Sequence, residues 1–225
     1  MENNYRRLVA IGCSHTYGHG CPDVTCYGDE RDNTQPKSVY AWPNALGKKL
    51  GISEVLNISG GGWSNKAIWH ACNNFSFHKN DLVVVLWTYD HRINFITSED
   101  PTNPVRRLHM DTKEANIYYK RFFDELDNRH TNFLYIDHVQ RQLKDAGCDY
   151  YFGQVTCFGW RKAPQWFNIG IERVLSSMTF DQILENYPKG TDKSHTSIEG
   201  HAAWANYVYK EISAKKKLLK DRKKK

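Results

Sequence analysis

Residues 82–87 read LVVVLW, a continuous apolar run rich in β-branched side chains. A run of this length without alternating polar positions is typical of a strand that is covered on both faces. Such strands belong to parallel sheets, because crossover helices lie on either side of those sheets. The run therefore favours an α/β fold.

Strand and helix patterns alternate along the rest of the chain. Further strands are predicted at residues 8–13, 55–58 and 149–155. Helical periodicity is found between and after the strands, at residues 40–50, 64–75, 113–126, 131–146 and 197–212. We expect irregular insertions at residues 97–111 and 156–188. The βαβαβ succession predicts a three-layer α/β/α sandwich with a mostly parallel sheet.

The 225 residues are enough to bury a full core, and we assign residues 1–213 to one domain. The net charge of +6 comes largely from residues 214–225, AKKKLLKDRKKK, and the rest of the chain is close to neutral. We interpret this basic C-terminal tail as a solvated helix end. The alternative is weak, salt-sensitive contact with nucleic acid through the tail, which we otherwise do not expect as a partner.

No apolar run approaches the length that crosses a bilayer, so no membrane partner is expected. Residues 1–10, MENNYRRLVA, lack the apolar stretch of a signal peptide. The six cysteines are scattered without a tight disulfide framework. These features predict a cytoplasmic protein with reduced thiols.

Polar or glycine-rich segments follow three of the predicted strands and precede the last helix. The first strand runs into GCSHTYG, the second into NISGGGWSN and the third into WTYDHR, and the last helix is preceded by GTDKSHTSIEGH. Ligands of parallel sheets bind beyond the carboxyl ends of the strands. We therefore expect these four segments to converge around Ser14.

Asp192 and His195 are separated by two residues in a turn that leads into a helix. An Asp-x-x-His turn can place a carboxylate beside the imidazole, which orients the ring and stabilises its protonated form. The other ring nitrogen can then take a proton from a serine hydroxyl, which is a poor nucleophile without such a base. Ser14, His195 and Asp192 are therefore the candidate catalytic residues.

The chain resembles the SGNH (GDSL) hydrolase superfamily, and more narrowly its divergent members encoded by tailed bacteriophages. The family's Gly-Asp-Ser block matches GCSHTYG, its second-block glycine matches Gly62, counted from Asn57, and its Asp-x-x-His block matches Asp192 and His195. The resemblance implies a flavodoxin-like sheet and a cytoplasmic location in an infected host cell. It also implies that the backbone N–H groups of Ser14 and Gly62 form an oxyanion hole.

The third block departs from the family. The family ends this block with Gly-x-Asn-Asp, whose Asn is a third oxyanion donor, and Tyr89 stands at the Asn position here. Tyr89, Thr88, Asn65 and Arg92 are the candidates to replace that donor. The Asp of the first block is also replaced, by Cys13, which we interpret as a strand-end packing residue rather than a nucleophile.

The favoured function is that of a serine esterase or deacylase acting on an O-acyl ester, with O-acetyl groups of a bacterial polysaccharide as the expected substrate. A non-catalytic binding or virion-associated module is one alternative, and an acyltransferase is the other. No cofactor is implied. The side chains of His15, His19, Cys21 and Cys26 do not match the spacing of paired zinc ligands, so no metal site is predicted.

Overall fold

A four-stranded parallel sheet forms the centre of the protein, for which we use a computed structural model. The structure describes residues 5–24, 36–98, 105–108, 112–157, 163–175 and 178–222. The strands are β1 (Arg7–Gly12), β2 (Glu54–Ser59), β3 (Asp81–Trp87) and β6 (Asp149–Gln154), in the order β2-β1-β3-β6. All three neighbouring pairs are parallel, so the carboxyl ends of the four strands lie at one edge of the sheet.

Seven helices accompany the sheet within the described residues. They are α1 (Ser14–Tyr17), α2 (Trp42–Leu50), α3 (Asn65–Asn73), α4 (Lys113–Arg121), α5 (Glu125–Asp145), α6 (Phe180–Leu184) and α7 (Ile198–Arg222). Helices α2 and α7 pack against each other, as do α6 and α7, while α3 packs against α5. None of the helices in the described part of the chain is both long and apolar enough to span a membrane.

Alternate residues of β1 divide the core into two layers, because successive side chains of a strand point to opposite faces. Leu8 and Ala10 lie in a buried cluster with Trp204 of α7. Val9 and Ile11 lie in a second cluster that contains residues of α3 and α5. Both faces of the sheet are thus covered, and the predicted three-layer sandwich is confirmed.

The predicted irregular insertions contain regular elements. Strands β4 (Asn94–Ile96) and β5 (Val105–Arg107) form an antiparallel pair at the first insertion, and α6 lies within the second. Thr179 caps α6 in a capping box with Gln182, whose side chain accepts from the Thr179 N–H. Expecting these stretches to be wholly irregular was therefore wrong, since a three-residue strand and a single-turn helix are too short for periodicity to reveal them.

Three helix boundaries also differ clearly from the prediction. Helix α4 ends at Arg121, five residues before the predicted end. Helix α5 begins at Glu125, six residues before the predicted start, because the Asp124 side chain caps it by accepting from the N–H groups of Leu126 and Asp127. Helix α7 continues to Arg222, ten residues beyond the predicted end, and so runs from the assigned domain into the basic tail. Lys216 of this extension lies over the Tyr5 ring, with its Nζ 4.1 Å from the ring centroid.

Candidate active site

Ser14 is the first residue of α1 and directly follows the strand-to-helix turn at the carboxyl end of β1. Cys13 is extended, with φ −98° and ψ −155°, and the helix starts after it. Gly12 permits this sharp turn, because a Cβ at that position would lie 2.1 Å from Thr16 Oγ1. The turn leaves the Ser14 residue 2% exposed.

Asp192 organises the turn that carries His195. Its Oδ1 accepts hydrogen bonds from the backbone N–H groups of Ser194, at 3.0 Å, and His195, at 2.9 Å. Lys193 adopts a left-handed conformation with φ 58° to close the turn. The Gly190 N–H then donates to the His195 carbonyl at 2.9 Å. The Asp-x-x-His spacing thus produces a turn that its own carboxylate stabilises.

The His195 turn packs against the loop that follows α1. The Thr191 N–H donates to the Gly20 carbonyl at 2.9 Å. Gly190 lies so close to Gly20 that a Cβ on Gly190 would be 2.1 Å from that carbonyl oxygen. Gly20 itself has φ 89°, and its own Cβ would be 3.0 Å from His195 Cβ. These two glycines allow the segments to approach, and sequence analysis did not single them out.

The approach brings the three predicted catalytic side chains into one hydrogen-bonded chain. His195 Nε2 lies 2.9 Å from Ser14 Oγ, and His195 Nδ1 lies 2.5 Å from Asp192 Oδ2. An ionised carboxylate can only accept, so the Nδ1 nitrogen carries the imidazole proton. Nε2 is then the acceptor for the Ser14 hydroxyl, which is the arrangement that general-base activation of a serine requires.

The electrostatics of these three hydrogen-bonded side chains favour a neutral imidazole beside an ionised carboxylate. Burial lowers the pKa of His195 below its ordinary value, although the hydrogen bond and charge of Asp192 act in the opposite direction. Burial raises the pKa of Asp192, but hydrogen bonds from His195 and Ser194 outweigh this and bring the pKa below its usual value. At neutral pH His195 can therefore accept a proton.

The backbone N–H groups of Ser14 and Gly62 are the predicted oxyanion donors, and both follow the carboxyl end of a strand. The Ser14 N–H lies at the first position of α1, where it has no helical acceptor. Gly62 ends the turn after β2 with φ 67°, a left-handed conformation that favours glycine. Among the described residues, neither N–H is hydrogen-bonded to an acceptor. Their use as an oxyanion hole stays a prediction.

Two of the four candidates for the third oxyanion donor are engaged in holding the third loop. Asn65 Oδ1 accepts from the Thr88 N–H at 2.8 Å, and Asn65 Nδ2 lies 3.4 Å from the Thr88 carbonyl. The Thr88 hydroxyl lies 3.2 Å from Cys13 Sγ and accepts from Arg92 Nη1 at 3.1 Å. Both polar side chains thus join α3, the end of β1 and the loop after β3.

Tyr89, the third candidate, has its hydroxyl among buried polar groups. Its oxygen lies 3.3 Å from His15 Nε2 and is also hydrogen-bonded to Asp181. Burial lowers the pKa of His15 well below its ordinary value, so this ring is neutral. Arg92, the fourth candidate, lies with its guanidinium carbon 4.5 Å from the Tyr89 ring centroid. No sequence pattern indicated the contacts of Tyr89 with His15 and Asp181, because only the tertiary fold brings these residues together.

Two of the four residues weighed as zinc ligands, His15 and His19, lie against the imidazole of His195. The ring centroids of His15 and His19 lie 5.0 and 5.2 Å from that of His195. Cys26 lies outside the described residues. Within the described part of the chain, no group of three or more potential ligands is arranged to hold a metal ion.

A cavity of about 260 Å³ adjoins these residues on the side of the third loop. Gly62, Tyr89 and Arg92 contribute to its wall, and each was a candidate site residue from sequence. The rest of the wall comes from the third loop, the end of β5 and α4: His91, Ile93, Arg107, Leu108 and Tyr119. The β4–β5 insertion therefore helps to build a cavity beside the candidate active site, which the sequence alone did not indicate.

Solved structures show which known proteins share this architecture. An acetyl xylan esterase from the rumen bacterium Butyrivibrio proteoclasticus superposes with a TM-score of 0.58 at 13% identity, over 94% of this chain and 64% of the esterase. A carbohydrate esterase, whose active site has divergent catalytic and non-catalytic binding functions, gives a TM-score of 0.56 at 16% identity. That match covers 95% of this chain and 66% of the other.

The chain has the fold of SGNH/GDSL-type esterases. It spans about two thirds of the length of these two proteins, and the low identities limit the likeness to the fold. No family model and no curated protein sequence matches the chain. The chemistry must therefore be argued from the residues of this chain.

Proposed function

We propose that this protein is a serine ester hydrolase that uses Ser14, His195 and Asp192. The observation that carries the proposal is the continuous hydrogen-bonded chain, 2.9 Å from Ser14 Oγ to His195 Nε2 and 2.5 Å from His195 Nδ1 to Asp192 Oδ2. A buried serine bonded to a neutral histidine, itself bonded to a carboxylate, is poised for nucleophilic attack.

The reaction follows from these positions. Ser14 Oγ attacks the ester carbonyl as its proton passes to His195 Nε2, and Asp192 stabilises the imidazolium. The negative charge on the former carbonyl oxygen is stabilised by the N–H groups of Ser14 and Gly62. Collapse of the tetrahedral intermediate expels the alcohol, which takes the proton from His195, and leaves an acyl-enzyme. Water, activated by the same imidazole, then releases the acid.

We further propose that the substrate is an O-acylated carbohydrate, with O-acetyl groups of a bacterial polysaccharide as the favoured case. The tyrosines beside the candidate active site support this, since their rings can pack against sugar rings. The similarity in fold to an acetyl xylan esterase and a carbohydrate esterase is consistent with it.

An acyltransferase would use a second hydroxyl in place of water. The closer resemblance to phage-encoded members stays a prediction.

The test combines p-nitrophenyl acetate hydrolysis with labelling by a fluorophosphonate probe, which reacts with activated serines. We expect the wild-type protein to hydrolyse the ester and to be labelled, and the Ser14→Ala variant to do neither. Ser53→Ala is the matched control, because Ser53 is an exposed serine just before β2, at the opposite edge of the sheet. Absence of labelling in the folded wild-type protein would refute the proposal.

A second candidate function is a non-catalytic binding module of the same fold. The observation that favours it is the third loop, where Tyr89 replaces the expected Asn and its hydroxyl bonds to His15 and Asp181. Such a module would bind carbohydrate but neither cleave p-nitrophenyl acetate nor react with the probe. The labelling experiment therefore separates the two functions.

A further inference from the structure

The cavity beside the candidate active site has an uneven distribution of charge. Arg92 and Arg107 contribute the guanidinium groups of its wall, and among the residues that the structure describes no carboxylate lines it. Tyr89 and Tyr119 contribute aromatic rings, and Gly62 joins the cavity to the predicted oxyanion hole. We call this cavity the arginine pocket. Its composition suits a ligand that combines a ring with a negative charge.

We propose that the arginine pocket binds an acidic sugar unit of the ester substrate, with the anionic group of that unit held by Arg92 and Arg107. The inference rests on the proposed function, because it names the substrate class of the same site. Arginine suits this role, since its planar guanidinium donates two parallel hydrogen bonds to a carboxylate or phosphate. A carboxylate and a phosphate share this chemistry, and the experiment below distinguishes them.

Arg92 is held in place before a ligand binds. Its Nη1 donates to Thr88 Oγ1 at 3.1 Å, and its guanidinium carbon lies 4.5 Å from the centroid of the Tyr89 ring. Thr88 is fully buried and is fixed in turn by Asn65. A guanidinium fixed by one hydrogen bond retains other N–H groups for a ligand and loses little conformational entropy on binding it.

Arg107 contributes to the wall from β5, the second strand of the β4–β5 pair. It pairs with Asn94 across the two strands, and the Asn94 side chain accepts a hydrogen bond from the backbone N–H of Ser64. The hairpin is thereby tied to the start of α3, just after the Gly62 turn. Arg106, the preceding residue, points to the other face of the hairpin and is exposed. Only one of these two adjacent arginines therefore lines the pocket.

The size of the pocket favours a sugar over a free ion. Its volume of about 260 Å³ lies just below the range of about 300–1,000 Å³ that is typical of pockets for small organic ligands. The Tyr119 hydroxyl donates to the His91 carbonyl at 2.8 Å and so fixes α4 against the third loop. The pocket is thus wide enough for a monosaccharide ring and has aromatic walls at fixed positions.

The test measures binding by isothermal titration calorimetry with digalacturonate, with its methyl ester and with galactose 6-phosphate. We expect the carboxylate form to bind about tenfold or more tightly than the neutral methyl ester, since a charge-assisted hydrogen bond is lost in the ester. Tighter binding of the phosphate would assign the pocket to sugar phosphates. The preference should weaken as salt is added.

Arg107→Gln should reduce the preference for the charged ligand, because Arg92 alone then holds the anion. Arg106→Gln is the matched control that should keep the full preference, since both variants remove one arginine from the same strand. Equal binding of acid and methyl ester, or a preference that is unchanged in Arg107→Gln, would overturn the inference. Fluorophosphonate labelling of the same wild-type sample separates this failure from that of the proposed function. A labelled protein without charge preference refutes the acidic sugar alone, and an unlabelled protein with the preference refutes the esterase alone.

Discussion

Replacing Asp192 by Asn separates the charge of this residue from its structural role. The Asn side-chain oxygen can still accept from the backbone N–H groups of Ser194 and His195, so the turn is retained. The amide nitrogen, however, now faces His195 Nδ1 and donates to it. The imidazole proton must then move to Nε2, which faces Ser14 Oγ and can no longer accept its hydrogen.

The magnitude follows from the burial and geometry of the pair. The side chains of Asp192 and His195 are 6% and 19% exposed, so their 2.5 Å contact is largely shielded from water. A hydrogen bond to a charged group is worth about 1.5–3 kcal/mol, or about 10- to 150-fold in rate. The wrong tautomer adds to this loss, which reaches about 10⁴-fold in the equivalent change of a serine protease. We expect kcat/KM to fall by at least about 100-fold.

The assay is steady-state hydrolysis of p-nitrophenyl acetate, with the thermal unfolding midpoint Tm measured on the same samples. Asp149→Asn is the control, because Asp149 is also a hydrogen-bonded carboxylate but lies at the far end of β6, bonded to Tyr5 and Arg173. That control should lower Tm and leave kcat/KM unchanged. A loss of less than about tenfold in Asp192→Asn, with Tm retained, would refute the assigned role of the carboxylate.

Three further predictions address the surroundings of the triad. Gly62→Ala should lower kcat by about 100-fold and stability by about 1–2 kcal/mol, because φ 67° strains alanine and displaces the N–H; unchanged kinetics would contradict this. Tyr89→Phe should change kcat/KM by less than about threefold, since the hydroxyl bonds to His15; a larger loss would make Tyr89 an oxyanion donor. Burial lowers the pKa values of His19 and His201 from 6.5 to about 4. Between pH 4 and pH 6.5 the unfolded chain therefore binds more protons than the folded protein does. Tm should therefore fall as pH drops from 6.5 to 4, and a constant Tm would contradict their burial as neutral groups.

The parts of the fold that sequence predicted are those encoded by local patterns. Strand β3 was identifiable because its residues 82–87 are all buried and all apolar, which produces a continuous apolar run. The Asp192–His195 turn was identifiable because its hydrogen bonds join residues two or three positions apart. Features of this kind leave a signature within a few neighbouring residues.

The parts that sequence missed depend on contacts between distant segments. Gly20 and Gly190 lie close together only in the folded protein, and the residues next to each of them in the sequence do not indicate this contact. Tyr89 could be aligned with the missing Asn, but its bonds to His15 and Asp181 involve two helices, α1 and α6, that are far from it in the sequence. The arginine pocket was missed for the same reason, because its walls come from segments that sequence patterns described as a loop and an insertion.

Different segments of the chain form the proposed triad and the arginine pocket. Substitutions can therefore change the proposed chemistry and the proposed substrate specificity independently. The proposed triad depends on two segments, residues 12–20 and 188–196, which contact each other through the Gly20 carbonyl and through Ser14 and His195. The arginine pocket depends instead on the third loop, β5 and α4. Gly62 contributes to both, because its N–H is a predicted oxyanion donor and its backbone lines the pocket. Substitutions on β5 should therefore alter the choice of ester without disturbing the hydrogen bonds that join Ser14, His195 and Asp192.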